Sequence, residues 1–347
     1  MPGTRWTKAE EEAVKALWPR IRSLDQAEDL ARRLHRTVYA VKNKAQAMGL
    51  QMGTGLPEIE RPPSANRPLW QIVEDQIRSA AAKRAHHGSK HSGVRVSLKD
   101  DRPWVLALLG DPHVDDDGFD GALFARHTEA CAVHGFHAVN LGDLTNNWVG
   151  RLGRLYAHQH TTDDEAMELC RWLLRKIPWV AVVLGNHDRW SPVAQLLCQE
   201  AGVPYVSHGA VFVFETPSGH WIKCDLRHDH RGRSMYHPAH GQARKSFRGS
   251  DCHVIAGAHL HVSAYEKLVN GVTGRTSHCV RVGSFKRWDD YADSKGLDRD
   301  DIGPAAYVVV DTSRPPEEDC AVVFHDPDYA ALFRDALNSK NLGEKPC

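Results

Sequence analysis

The sequence predicts an α/β domain carried behind a small all-helical one, and three observations point there. From residue 94 onward, apolar runs alternate with helix-length amphipathic stretches. Several of those runs end in Gly followed by an acid or an amide. The first 50 residues instead repeat helical spacing, with a capping signal at the start of each segment. A chain of 347 residues has room for both units.

Thr7 followed by Glu10 forms a capping box for a first helix with Ala9, Val14 and Leu17 facing inward, and Ser23 followed by Gln26 does the same for a second through Leu30 and Leu34. A third begins at Thr37, carries Val41, Ala45 and Met48, and stops at Gly49. With Trp6 and Trp18 as anchors, "RWTKAEEEAVKALWP…RTVYAVKNKAQAMGL" resembles a Myb/SANT-like helix-turn-helix over residues 1–50. That stretch holds ten Lys/Arg against six Asp/Glu. The resemblance implies a third helix entering a DNA major groove, with Arg36, Lys42, Asn43, Lys44 and Gln46 toward phosphates and base edges. A small protein-binding bundle is the alternative.

Gly and Pro then displace the apolar periodicity in "QMGTGLPEIERPPSANRP", which marks a linker. Leu69, Ile72, Val73 and Ile77 give the following "LWQIVEDQIRSAAAKRAHH" a helical pattern, so residues 51–93 read as a bridge with one helix. The α/β domain spans 94–340. Its runs "WVLALLGD", "HAVNLGD" and "WVAVVLGNHD", separated by helical stretches at Phe119 to His134 and Asp163 to Lys176, predict parallel or mixed strands. Ligands of such sheets sit at the carboxyl ends of the strands. Shorter runs follow ("AVFVFE", "WIKCDLRHD", "HVIAGAHLH", "HCVRVGS", "AYVVVD"), then a last helix capped by Asp326 with Pro327 at its first position.

With 44 Lys/Arg and 44 Asp/Glu, net charge argues for neither a nucleic-acid nor a membrane partner. No apolar run reaches the roughly 18 residues of a membrane span, and the start lacks the plan of a secretory signal, so a cytoplasmic protein is expected. Eight scattered cysteines without a C-x-x-C pair read as reduced, mostly buried thiols. The 22 histidines make a metal site worth seeking.

That site is suggested by the strand ends: "GDPHVD", "NLGDLTNN", "LGNHD", "RHDH" and "GAHLH" mix carboxylate and amide oxygens with imidazoles. Such donors suit divalent Mn, Fe, Zn or Ni, and one carboxylate between two clusters can bridge two ions. In this order the five motifs resemble those of the calcineurin-like metallophosphoesterases, including the Mre11/SbcD-like nuclease branch, over Val94 to Asp311. The resemblance implies a four-layer α/β/β/α sandwich and two divalent ions, Mn2+ foremost. Asp111, His113, Asp143 and His261 would hold one ion; Asp143, Asn186, His228 and His259 would hold the other. His187 would protonate the leaving oxygen, with Asp188 orienting it. Ala258 replaces the usual Gly before H-x-H, and "GDLTNN" lacks the Asp-Arg of the protein-phosphatase branch. His230 competes with His228 for the fourth motif; His228 is preferred as nearer the end of "WIKCDL".

Substrate contacts are expected from the loop "NNWVGRLGRLY", through Arg151 and Arg154, and from Lys286 and Arg287 beside Phe285 and Trp288. Arg244, Lys245 and Arg248 form a further basic cluster. The function expected is phosphodiester hydrolysis with DNA as partner, in what resembles a phage or prophage arrangement, and no membrane. The alternatives are a cyclic-nucleotide or small-phosphoester hydrolase with a protein-binding arm, or a non-catalytic DNA-binding protein.

Overall fold

A computed structural model describes residues 5–53, 68–90, 93–148, 153, 155, 159–234, 236–271, 274–288 and 303–341, with the backbone alone for 81–90. Its contacts divide the chain into two compact units, Met1–Ala80 and Ala81–Cys347.

The first unit contains helices α1 (Lys8–Leu17), α2 (Leu24–Arg33) and α3 (Val38–Ala47). Thr7, Ser23 and Thr37 each accept a backbone N–H from the residue three positions on, and Glu10 completes a capping box with Thr7. Val14, Trp18, Ile21, Leu30, Val41 and Ala45 form the core. Ala9 and Leu17 are exposed, contrary to the expected inward face. Burying Val14 turns Trp18 inward one turn later, which leaves Leu17 a step of about 100° off the buried stripe. A fourth helix, α4 (Leu69–Lys90), crosses the division between the units. Among the described residues no helix is long and apolar enough to cross a membrane.

The second unit is built on two six-stranded sheets. In order across the first lie β12 (Ala321–Phe324), β11 (Ala305–Val310), β2 (Trp104–Leu109), β3 (His137–Asn140), β4 (Ala181–Val183) and β5 (Tyr205–Val206). The second runs β1 (Val94–Ser97), β6 (Ala210–Glu215), β7 (Trp221–Leu226), β8 (Val254–Gly257), β10 (Thr276–Arg281) and β9 (Ala264–Val269). Strands β2 to β5 are mutually parallel, as are β7, β8 and β10.

Strand β2 is buried along its whole length because both of its faces are covered. Leu106 and Leu108 point toward Phe212, Ile222, Val254 and Val280 of the other sheet. Val105, Ala107 and Leu109 alternate to the opposite face, against helices α5 (Gly121–His134), α6 (Asp163–Lys176), α7 (Val193–Glu200) and α9 (Pro327–Asn341). Helix α8 (His240–Phe247) packs on β8, β9 and β10. The result is a mixed α/β sandwich, helices outside and two sheets face to face within. Helix α6 has the expected bounds and a Thr162/Glu165 capping box. Helix α5 starts two residues inside the expected Phe119, because the Asp120 carboxylate caps the Leu123 N–H at 2.9 Å. Strands β1, β5, β9 and β12 and helices α7 and α8 extend the sequence reading. Seven cysteines, at 131, 170, 198, 224, 252, 279 and 320, are buried free thiols; Cys347 lies outside the described residues.

Candidate metal centre

Two sheets with parallel strands side by side bring several carboxyl ends to one edge. Immediately beyond β2 lie Asp111 and His113, beyond β3 Asp143, and beyond β4 Asn186 and His187. From the facing sheet, β7 is followed by His228 and β8 by His259 and His261. The side chains meet in two groups. Asp111, His113 and His261 place their ligand atoms within 4.8 Å of one another, and so do Asp143, His228 and His259. The Nε2 atoms of His113 and His261 are 3.2 Å apart. His228 Nε2 lies 3.2 Å from His259 Nδ1 and 2.9 Å from Asn186 Oδ1. Asp143 stands between the groups, its Oδ2 3.1 Å from His228 Nε2 and 3.9 Å from both His113 Nε2 and His187 Nε2.

The backbone that holds this convergence is strained. Asp111 (φ 46°), His113 (42°), Asp143 (54°), His259 (74°) and His261 (55°) all adopt the left-handed region that side chains with a Cβ disfavour. Each costs of order 1–3 kcal/mol and persists only where the surroundings over-determine it. Hydrogen bonds supply that constraint. The Asp111 Oδ2 accepts the His259 N–H at 2.6 Å, and the Asp143 Oδ1 accepts the His187 N–H at 2.9 Å. Gly142 (φ 103°) allows the β3 and β4 ends to approach, since a Cβ there would lie 2.5 Å from the Gly185 nitrogen. A Cβ on Gly185 would strike the Asp143 carboxylate. The Cβ of Ala258 fits because Gly110 opposite has none.

The donor set fits divalent cations. Asp111 and Asp143 are buried, and Asp111 Oδ1 and His113 Nδ1 are buried without hydrogen-bond partners. Burial pushes the Asp111 carboxyl well above its ordinary range. Burial also raises Asp143, but the imidazoles of His228, His187 and His113 together outweigh it and hold that carboxyl low. For His228 burial works downward, while Asp143 and Asp111 overcome it and lift the imidazole to about 9. The same two carboxylates that favour a proton on His228 would favour a cation in its place, with the imidazole then neutral and its Nε2 lone pair free to bind. His228 Nδ1–H donates to the Leu141 carbonyl at 2.7 Å, which aims Nε2 inward as metal-ligating imidazoles require. His230 turns away, donating Nε2–H to the Ala256 carbonyl at 3.1 Å, and burial lowers it to about 4. The choice between the two histidines therefore falls on His228.

His187 lies beside the two groups, its ring 5.0 Å from that of His113. Its Nδ1–H donates to the Asn146 carbonyl, leaving Nε2 toward the centre. Asp188 was expected to orient this ring and does not. Its carboxylate accepts the backbone N–H groups of Asp143 (2.7 Å), Gly185 (2.8 Å) and Leu144 (2.9 Å). The orienting partner is a main-chain carbonyl, invisible to side-chain pattern; the next residue, Asn147, donates Nδ2–H to the His187 carbonyl at 2.7 Å. Three further residues escaped the motifs. Arg233 places Nη2 3.0 Å from His259 Nε2. Buried Arg281 donates to the carbonyls of Ala258 and Pro238, bracing the H-x-H turn. Trp190 packs on His187 with ring centroids 4.1 Å apart.

Other expected contacts fare differently. Lys286 is almost fully buried, with its amine 2.8 Å from Asp116 and 5.8 Å above the Trp148 ring, so its charge is already engaged. Arg287 is half-buried and its N–H donates to the Gly118 carbonyl. Arg151 and Arg154 lie outside the described residues. In the helical unit Arg36 pairs with Glu10 at 3.0 Å over the Trp6 ring, and Lys44 pairs with Glu11 at 2.6 Å. Lys42, Asn43 and Gln46 are exposed.

No family model matches the chain, and no curated protein matches it. Among solved structures, the chain is similar to a conserved uncharacterized protein from Streptococcus pneumoniae described as a predicted phosphoesterase. That likeness has 15% identity and a TM-score of 0.31, covering 65% of this chain and 98% of the other. A superposition that loose has no bearing on the chemistry, which rests on the side chains themselves.

Proposed function

We propose that this chain is a dinuclear metal-dependent phosphoesterase that hydrolyses phosphodiester bonds, DNA among its substrates. The observation that carries the reading is the pair of Asp/His groups with Asp143 between them, set at strand ends beside an oriented imidazole. Asp111, His113, Asp143 and His261 would hold one ion, and Asp143, Asn186, His228 and His259 the other. When bound, such ions neutralise the anionic oxygens that repel a nucleophile and make hydroxide available near neutral pH.

The remaining work falls to the chain's own side chains. The Asn146 carbonyl fixes His187 so that Nε2 faces the centre, where its imidazolium form would give a proton to the leaving oxygen. Arg233 supplies a guanidinium at the rim for a non-bridging phosphoryl oxygen. Asp188 ties together the turns after β3 and β4, and Arg281 braces the turn after β8.

The test is hydrolysis of bis-p-nitrophenyl phosphate and of labelled single- and double-stranded DNA by Mn2+-reconstituted protein. Turnover that a chelator abolishes is expected; the absence of metal-dependent turnover on every ester overturns the proposal. A small phosphodiester as the substrate is favoured by one observation: Arg36 and Lys44, two of the five expected DNA contacts, are spent on Glu10 and Glu11. Cleavage of small diesters with no DNA cleavage decides for that version.

A further inference from the structure

The imidazole of His187 is walled by two indoles. Trp148 meets it edge-on, with centroids 5.3 Å apart and planes at 69°, and Trp190 lies against it at 4.1 Å and 41°. Both indoles remain partly open: Trp148 is half-buried, with the Lys286 amine 5.8 Å above its ring, and Trp190 keeps 37% of its surface exposed. The Trp190 backbone N–H donates to the His187 carbonyl at 3.2 Å, which holds the two residues in one turn. A single exposed ring is ordinary, but two indoles flanking one imidazole at the edge of a polar centre present π-faces where a planar group could lie. A phosphoryl group gains nothing from an indole face, because its oxygens seek donors and cations. A nucleobase does gain, since each base has a π-face that stacks on Trp whatever its sequence.

We infer that Trp148 and Trp190 form a base-stacking subsite on the leaving-group side of His187, so that the preferred ester carries a nucleoside as its departing alcohol. The inference deepens the phosphodiesterase reading and rests on it for the word "leaving". The stacking itself stands on geometry alone. It separates this site from one that takes aliphatic phosphoesters, where the rings would serve only to position His187.

The experiment is equilibrium binding of adenosine 5′-monophosphate, ribose 5-phosphate and inorganic phosphate to the full-length protein, followed by quenching of tryptophan fluorescence and by calorimetry. The wild type is expected to bind the nucleotide roughly 10-fold or more tighter than ribose 5-phosphate. Trp190→Leu and Trp148→Leu should remove most of that preference while leaving inorganic phosphate within about 2-fold, and Trp190→Phe should retain it. Circular dichroism checks that each variant is folded. Equal affinity for the two ligands in the wild type, or a preference that survives in the folded Trp148→Leu/Trp190→Leu double variant, overturns the inference. Hydrolysis of bis-p-nitrophenyl phosphate is scored in parallel. Metal-dependent turnover without a base preference defeats the subsite alone, whereas a base preference without turnover on any ester defeats the enzymatic reading alone.

Discussion

Arg36 and Lys44 of the helical unit lie against Glu10 and Glu11, each cation with its own counter-charge near solvent. Asp111 and Asp143 of the sandwich are buried, and their close side-chain neighbours are imidazoles. The first arrangement settles its electrostatics internally and gains little stability from it. The second collects negative charge and nitrogen lone pairs on a strained backbone and leaves a buried carboxylate oxygen unmatched. A charged motif thus marks a site when the fold refuses to neutralise it, and the contrast can be broken or sharpened by substitution.

The largest effect is expected from Asp143→Asn, which takes the shared carboxylate charge from both groups. Turnover should fall by about 1000-fold or more, and metal content measured by mass spectrometry should drop below that of the wild type. A variant that keeps full metal content and rate would show that Asp143 is no more special than Glu10. Next comes His187→Ala, which should keep its metal while kcat falls by roughly 100- to 10,000-fold. Arg233→Ala should raise KM by about 10-fold with a smaller change in kcat, consistent with one charge-assisted hydrogen bond.

Acid should separate the two regions as well. His127 and His253 are held down near 4 by burial, His127 bonded to Tyr307 and His253 to the Pro316 carbonyl. Their folded pKa lies below the ordinary 6.5, so the unfolded chain takes up protons first as pH falls. These two histidines should therefore leave stability unaffected above pH 6.5 and lower it as pH falls from there toward 4, by roughly 3 kcal/mol per histidine at most. Thermal melts across that window check it. The smallest effect belongs to the helical unit. The Arg36 hydrogen bond, with help from the Thr7 N–H, lowers Glu10 to about 2, so its contribution is present above about 4.5 and lost as pH falls toward 2. Because the pair is near solvent, Glu10→Gln should barely move the melting temperature.

Much of the site could be read from sequence because each strand ends in a short motif. Asp111, Asp143 and His259 follow apolar runs whose burial on both faces fixes where the chain must emerge. What escaped were groups that act through the backbone or arrive from a distant loop. The resemblance assigns Asp188 to orient His187, yet its carboxylate serves three main-chain N–H groups. Arg233 and Trp190 belong to no pattern, and their meaning appears only beside His259 and His187. Leu17 fitted the helical period as well as Trp18 did, and packing of Val14 decided between them.

Taken alone, the order of residues along this chain determined the central strands and the longer helices, which polar residues stand at their ends, and the donor chemistry available there. These are local properties, set by side-chain period, capping and the type of ligand atom. Only the tertiary structure decided that His228 and not His230 joins the cluster, that Asp143 lies between two groups, and which cations are already spent. Those outcomes depend on facing sheets packed over a common core, where a shift of two residues along one strand end changes the partner reached.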